Sequence, residues 1–218
     1  MRASRPAVPQ RASDQAYAWL LERILDLRIP PGSVVNEQQL ALEIGLGRMP
    51  VREALARLAG DRFTTVMARR STVVTSLGLE DVLDMFEARE ALQCGVAHIA
   101  ARKASDDDLA TLGGLIIAAE SSRRGRAALA FLSDDHEIHL FLIRMINNVP
   151  LQDAAELLLM HNLRFWRSYW STRPAQPASM LSHGPLLSAL RARDPDAAEL
   201  AMREHLQQSR QLLASAFS

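Results

Sequence analysis

Apolar residues recur at the spacing of α-helices along most of this chain, and only two short stretches have the character of strands. The strands are predicted at residues 63–67 and 72–75, as a hairpin. Three helices are predicted before it, at about residues 14–27, 36–44 and 50–59, and about six after it. Breaks between the later helices are predicted near residues 105, 113, 123–125, 147–150, 172–177 and 194–195. The pattern therefore predicts a mostly α fold.

The order of these elements predicts two domains behind a short arm. Three helices and a two-stranded wing make a winged helix-turn-helix at residues 13–77. The later helices make an all-α helical bundle at residues 78–218. Residues 1–12 lack the apolar core of a signal peptide, so we expect them to form a flexible N-terminal arm.

Composition narrows the class of protein. No stretch reaches the roughly 20 apolar residues of a membrane span, so we expect no membrane partner. The one cysteine, Cys94, excludes an internal disulfide and favours a reducing cytoplasm. The formal net charge is zero, yet residues 1–78 carry 11 arginines against 7 acidic residues. A head with a net charge of +4, ahead of a remainder at −4, favours nucleic acid as a partner.

The third predicted helix begins with two basic residues on one face. Arg48 and Arg52 are four residues apart, so both project from the end that would meet bases and phosphates in a major groove. The opposite face is apolar and can pack on the second helix. From spacing alone, a solvated helix face on which the arginines pair with Glu43 or Glu53 is an equally good interpretation.

Residues 29–58 resemble the winged-helix head of GntR-type bacterial regulators. The signature of that family is PPG, then a helix with N-E-x-x-L-A, then S-R-x-P-V-R-E-A-L. The corresponding stretch here reads IPPGSVVNEQQLALEIGLGRMPVREALARL. In the family, the two arginines of the R-x-P-V-R run contact DNA and the tip of the wing enters the minor groove. The DNA-binding residues that the resemblance implies are Arg48, Arg52, Arg69, Arg70, Gln38 and Met49.

Four residues depart from the family pattern. Gln38 stands where some relatives place an arginine on DNA, and Gly47 replaces a serine that could cap the recognition helix. Arg62 replaces a glycine that is expected to have a positive φ, which is unfavourable for other residues. Ser71 replaces a glycine of the wing. These changes bear on sequence specificity and wing geometry, and the fold is expected to tolerate them.

Polar residues in the predicted bundle lie on faces that are otherwise apolar. Asp135 and His139 are about 40° apart on a helical projection, within a stripe of apolar residues. His183 and His205 fall within similar stripes on two further segments. Unpaired burial of such groups would cost several kcal/mol. One carboxylate and three imidazoles suit a divalent metal, but an Asp-His pair and two histidines bonded to the backbone are an equal alternative from these residues alone.

Two stretches of the bundle resemble the FCD-type ligand domain that accompanies the fatty-acid-regulator branch of GntR proteins. They are LSDDHEIHLFLIRMINNVPL and SHGPLLSALRARDPDAAELAMREHL. In metal-binding members the matching positions are the ligands, which implies Asp135, His139, His183 and His205 as the metal site. Zinc is the first choice for the ion, and nickel, manganese, cobalt and iron are alternatives.

The same resemblance implies an effector site next to the metal. Relatives carry an arginine that binds an acidic effector in the stretch that holds Arg89, and Asn148 matches a helix-ending asparagine of the family. We assign both residues to effector binding. Asn147 stands in a glycine position, which asparagine tolerates because it accepts the left-handed conformation. For Arg89 an internal ion pair with Asp84, Glu87 or Glu90, or a place at a dimer interface, is the alternative.

The sequence predicts a cytoplasmic homodimer that binds double-stranded operator DNA and responds to a small organic acid at its metal site. By analogy with the family we expect a repressor and no enzymatic activity. A metal-dependent hydrolase that uses the Asp/His site is one alternative, and Glu137 is its nearest candidate base. A regulator in which the four polar residues are structural and bind no metal is the other.

Overall fold

The computed structural model describes residues 11–67, 71–122, 128–172 and 182–214. The chain divides between Ser76 and Leu77 into two compact units, a head and a helical domain. No helix within the described ranges combines the length and the apolar character needed to cross a membrane.

The head contains three helices and a small antiparallel sheet. The helices are α1 (Ala12–Leu25), α2 (Glu37–Ile44) and α3 (Arg48–Gly60), and the strands are β1 (Val34–Val35), β2 (Thr64–Val66) and β3 (Thr72–Val74). The sheet has the order β1-β3-β2, and β2 pairs with β3 from Thr64 opposite Val74 to Val66 opposite Thr72. The winged helix-turn-helix predicted from the sequence is therefore confirmed, with helix ends within about two residues.

Strand β1 is an element that the sequence pattern did not predict. Two valines are too short a run to show alternation, and they become a strand only because Val34 and Val35 pair with the outer edge of β3. Val34 is 70% exposed, so pairing of the backbone, and not burial of the side chain, makes this strand.

Local signals set the ends of the helices in the head. The side chain of Asn36 caps α2 by accepting hydrogen bonds from the backbone N–H groups of Gln38 and Gln39, at 2.9 and 3.1 Å. Gly45 ends α2 with a φ of 74°. Gly47 precedes α3 without any side-chain cap, as its departure from the family pattern implies. Arg62 has a φ of 62°, which confirms that this position takes a left-handed conformation despite the missing glycine.

The described residues of the helical domain form six helices, as predicted. They are α4 (Leu79–Lys103), α5 (Asp106–Ser122), α6 (Ala128–Met145), α7 (Val149–Ser171), α8 (Gly184–Arg191) and α9 (Pro195–Ala214). Asn147, in the turn between α6 and α7, has a φ of 51°, in agreement with its glycine-like role.

The break predicted near Gly113 is wrong, because α5 continues through that residue. Glycine usually weakens a helix, by about 1 kcal/mol relative to alanine. Here it allows close packing: a Cβ at this position would lie 2.9 Å from Nη2 of Arg191 and 3.5 Å from Cδ2 of Leu187. The glycine thus leaves room for α8, and a single glycine does not end the helix.

Two apolar clusters in the helical domain are separated by a buried polar layer. The larger cluster includes Ala97, Leu112, Leu142, Leu159 and Leu206, and the smaller one includes Val82, Phe86, Leu132, Trp166 and Leu213. Between them, along the helices that contribute to both, are buried polar residues. These are Arg89 and Gln93 on α4, Asp135 and His139 on α6, His161 and Asn162 on α7, His183 just before α8, and His205 and Ser209 on α9. The polar layer therefore contains the groups of this domain that could bind a metal ion or a charged ligand.

The smaller cluster has an aromatic wall beside this layer. The ring of Trp166 meets that of Phe86 edge-on at 6.3 Å and stacks on that of Trp170 at 5.0 Å, with an interplanar angle of 28°. Cζ of Arg89 lies 5.7 Å from the centroid of the Phe86 ring. The polar layer and the aromatic wall are therefore in direct contact.

Candidate metal centre and DNA-binding face

The four residues proposed as metal ligands come together in the polar layer. Asp135 and His139 lie one turn apart on α6, and His205 lies on α9. His183 is the residue immediately before α8, where it occupies the N-cap position, so it reaches the site from the start of that helix and not from within it. One ligand atom from each of the four residues lies within 4.8 Å of the others.

The separations between these atoms suit a shared ion. Nε2 of His139 lies 3.1 Å from Nε2 of His205 and 3.4 Å from Nε2 of His183. Oδ1 of Asp135 lies 3.5 Å from Nε2 of His183 and 3.8 Å from the Nε2 atoms of His139 and His205. Ligands at about 2.1 Å from one metal are about 3.0 Å apart when octahedral neighbours and about 3.4 Å apart when tetrahedral. The residues present therefore fit a divalent transition metal.

Burial keeps the central imidazole in the form that binds metals. His139 is 1% exposed, and its pKa lies well below the usual value because burial disfavours the charged ring and because His205 and His183 are close. A neutral imidazole offers a lone pair, whereas a protonated one has none.

Arg89 lies in the same polar layer and is 2% exposed. Its Nη1 donates to Oδ1 of Asn162 at 2.8 Å, and its Nη2 to Oε1 of Gln93 at 3.4 Å. Burial lowers the pKa of Arg89 to about 10, an effect that Asp135 opposes. At neutral pH the guanidinium remains charged.

No carboxylate within the described ranges lies at ion-pair distance from Arg89. Glu90, one of the partners considered from the sequence, instead binds Arg203 at 2.9 Å. Nε of Arg89 and Nε2 of Gln93 are buried donors without a hydrogen-bond acceptor among the described residues. The internal ion pair is therefore not what holds this arginine, and the donors suit an anion.

Three other residues of the helical domain are Asn148, the second proposed effector residue, Glu137, the candidate base of a hydrolase, and the buried Arg164. Asn148 caps α7 by accepting a hydrogen bond from the backbone N–H of Leu151 at 3.3 Å, so its role in effector binding stays a prediction. Glu137, the base that a hydrolase would need, is exposed while the ligand cluster is buried. Arg164 is 1% exposed and burial lowers its pKa to about 10, which sequence analysis did not foresee.

In the head, the first turns of α3 present polar and apolar side chains to solvent. Arg48, Met49 and Arg52 are exposed, whereas Val51 and Leu55 are buried against the rest of the head. Gln38 on α2 is also exposed. The described part of the predicted DNA-binding surface is therefore accessible.

The partner of Arg52 differs from those considered from the sequence. It binds Glu37, on α2, and neither Glu43 nor Glu53. Glu43 accepts a hydrogen bond from Gln39 at 3.0 Å. Arg69 and Arg70, the predicted residues of the wing tip, lie outside the described residues.

A winged helix-turn-helix followed by an all-helical domain defines a class of DNA-binding transcription regulators. Residues 12–74 match the family model "Bacterial regulatory proteins, gntR family", and residues 84–208 match "FCD domain". The chain belongs to the GntR family of transcription regulators, in the branch with an FCD domain. Both families consist of regulators and not of enzymes, which excludes the hydrolase alternative.

Curated relatives agree with this assignment, and a solved structure has the same fold. The chain is 27% identical over 201 residues to the HTH-type transcriptional repressor RspR of Escherichia coli K12, covering 91% of this chain and 87% of the relative. It is 26% identical over 205 residues to a probable D-xylose utilization operon transcriptional repressor of Paenarthrobacter nicotinovorans, covering 94% and 88%. The structure of E. coli McbR/YncC has the same fold, with a TM-score of 0.81 at 20% identity and coverage of 96% and 100%.

Proposed function

We propose that this protein is a repressor whose affinity for operator DNA is controlled by a small organic acid bound at a metal ion in the helical domain. One observation carries the proposal: three imidazoles and a carboxylate converge in a buried layer that also holds Arg89, an arginine without a carboxylate partner there. The names of the relatives RspR and the D-xylose operon repressor favour repression. The cytoplasm, where bacterial operator DNA lies, is the proposed location.

The metal would be held by Asp135, His139, His183 and His205. Zinc is our first choice, since one carboxylate and three neutral imidazoles are ligands that it accepts, and nickel, manganese, cobalt and iron also suit them. When bound, such an ion is a Lewis acid with coordination positions for oxygen atoms of a ligand.

The effector would be anchored by Arg89, which lies near the proposed ligands. Asp135 raises the pKa of Arg89, and the charge of Arg89 lowers the pKa of His139. A carboxylate is the group that best matches a buried guanidinium, because it accepts two parallel hydrogen bonds and neutralises the charge. Asn148 caps α7, and its contribution to effector binding remains part of the proposal.

Helix α3 of the head would contact the DNA. Arg48 and Arg52, with Met49 and Gln38, form the proposed contact surface, and Arg69 and Arg70 would extend it from the wing. A homodimer would place two heads on a nearly palindromic operator. The heads of such a dimer would have two arrangements that differ in operator affinity. The effector changes operator affinity only if it binds these two arrangements with different affinities.

Metal content tests the metal site. His139→Ala is expected to lower the metal bound per chain from about one ion to a small fraction, because it removes the central ligand, and elemental analysis of protein purified without chelator measures it. Chelation should lower the melting temperature of the wild type and leave that of the variant nearly unchanged. His98→Ala is the matched control, since His98 is partly exposed on α4 and outside the cluster. Wild-type protein without any metal would reject the site.

A calorimetric screen of small carboxylic acids tests the effector site. Arg89→Met, which keeps bulk but removes charge, should weaken binding of any acid that the wild type binds by about tenfold or more. Metal content should not change. Arg102→Ala, at an exposed position of α4, is the control for lost charge. Unchanged acid binding by the Arg89 variant would show that the acid does not reach this arginine.

A further inference from the structure

The ion pair between Arg52 and Glu37 joins the recognition helix to the helix before it. Nε of Arg52 donates to Oε1 and Oε2 of Glu37 at 3.2 and 3.1 Å, and Nη2 donates to Oε2 at 2.8 Å. The two residues are 15 positions apart in sequence, on α2 and α3. Glu37 is thus outside the R-x-P-V-R run and yet in contact with its last arginine.

The geometry of this pair determines which edge of the guanidinium remains for another acceptor. A guanidinium has five N–H groups in a plane. Glu37 binds the side edge, made of Nε and the adjacent N–H of Nη2. The outer edge, with one N–H on each of Nη1 and Nη2, is left. Two parallel donors of this kind match O6 and N7 of guanine in the major groove.

Glu37 is a charged residue at the start of a helix. It is the first residue of α2, directly after the capping residue Asn36. Its side chain is 26% exposed, whereas that of Arg52 is 55% exposed. Arg52 and, more weakly, Arg48 hold the pKa of Glu37 below its usual value, so the carboxylate is charged near neutral pH. The carboxylate is therefore charged before DNA arrives.

We propose that Glu37 is a positioning residue for base recognition: by binding the side edge of Arg52, it presents the outer edge to a guanine in each operator half-site. The inference rests on the proposed contact between Arg52 and DNA. Because Glu37 carries a negative charge beside the phosphates, it opposes binding to arbitrary duplexes while it favours the correct base. This makes it a determinant of specificity and not of affinity.

Selection from a pool of random duplexes by the full-length, metal-loaded protein gives the probe for the test. The selected duplex and versions with each guanine replaced are then used to measure the ratio of dissociation constants for wild type, Glu37→Ala, Glu37→Gln and Arg52→Ala. Glu43→Ala is the matched control, because it removes an exposed carboxylate of α2 that contacts Gln39 and, among the described residues, no arginine.

In Glu37→Ala, discrimination at one symmetric guanine should fall about tenfold or more, while binding to a random duplex stays equal or becomes tighter. Glu37→Gln should restore part of the preference, since the amide oxygen can still accept from Arg52, and Glu43→Ala should keep the full preference. The double variant Glu37→Ala with Arg52→Ala should discriminate as well as Arg52→Ala alone.

Three results would contradict the proposals, and they distinguish failure of the positioning role of Glu37 from failure of the DNA contact of Arg52. Unchanged base preference in Glu37→Ala, even with a lower melting temperature, overturns the positioning role and leaves Glu37 as a stabilising first-turn acid. A loss of preference in Glu37→Ala that persists equally when Arg52 is already alanine also overturns it. Unchanged binding and preference in Arg52→Ala refutes the DNA contact of the proposed function instead.

Discussion

His136 adjoins the metal ligands in sequence but faces a different set of charges. Burial lowers its pKa to about 4, and Arg167, Arg89 and Arg144 contribute in the same direction. An unfolded chain binds a proton at this residue near pH 6.5, whereas the folded chain does so only near pH 4. The neutral ring is therefore stable in the fold above pH 6.5, and stability is lost as the pH falls toward 4.

We therefore expect the melting temperature of the chelated wild type to fall between pH 7 and pH 5. The protonation of His136 should lower the free energy of unfolding by at most about 2 kcal/mol at pH 5. His136→Gln removes this titration, so its melting temperature should fall less over the same interval. Differential scanning calorimetry at several pH values measures both. Parallel pH profiles for the two proteins would contradict the assignment.

At the scale of single residues, the sequence predicted what each side chain could do better than which partner it would have. The inward placement of Asp135 and His139 followed from their spacing on one helix and that of His183 and His205 from apolar stripes, whereas only the resemblance implied that all four form one cluster. The partner of Arg52 could not be predicted, because a contact between residues 15 positions apart depends on how α2 and α3 pack.

Among the secondary-structure elements, α2 begins at a side-chain cap. The side chain of Asn36 satisfies two backbone N–H groups that the helix itself cannot. Asn36→Ala should therefore destabilise the head by about 1 kcal/mol, and Asn36→Asp should retain most of the stability. Chemical denaturation followed by circular dichroism measures the difference. Equal loss in both variants would show that the cap is not the cause.

The elements that the sequence did not predict depend on contacts made elsewhere in the chain. Strand β1 forms by pairing with β3, and Gly113 lies within α5, where its lack of a side chain leaves room for α8. The well-predicted elements have a signal of their own: an apolar stripe, a cap, or a proline or glycine at the end. Local signals thus determined the order of the elements, and tertiary contacts changed the details.

For the molecule as a whole, affinity for DNA is expected to depend strongly on salt. Each arginine that contacts a phosphate releases a counterion, so Arg48→Ala should weaken operator binding and reduce the slope of log K against log salt concentration by about one per chain. Fluorescence anisotropy at several salt concentrations measures the slope. Arg28→Ala is the control, because that exposed arginine is paired with Glu22 and Asp26 at the end of α1. A slope equal to that of wild type would place Arg48 away from the phosphates.

The aromatic wall beside the polar layer gives the helical domain an optical reporter of its own. Trp166 and Trp170 are stacked closely enough for their excited states to couple, and Trp166 meets Phe86, which adjoins Arg89. A ligand that shifts the guanidinium would disturb this coupled pair of indoles. Its arrival should therefore be visible as a change in near-ultraviolet circular dichroism, without any dye or label.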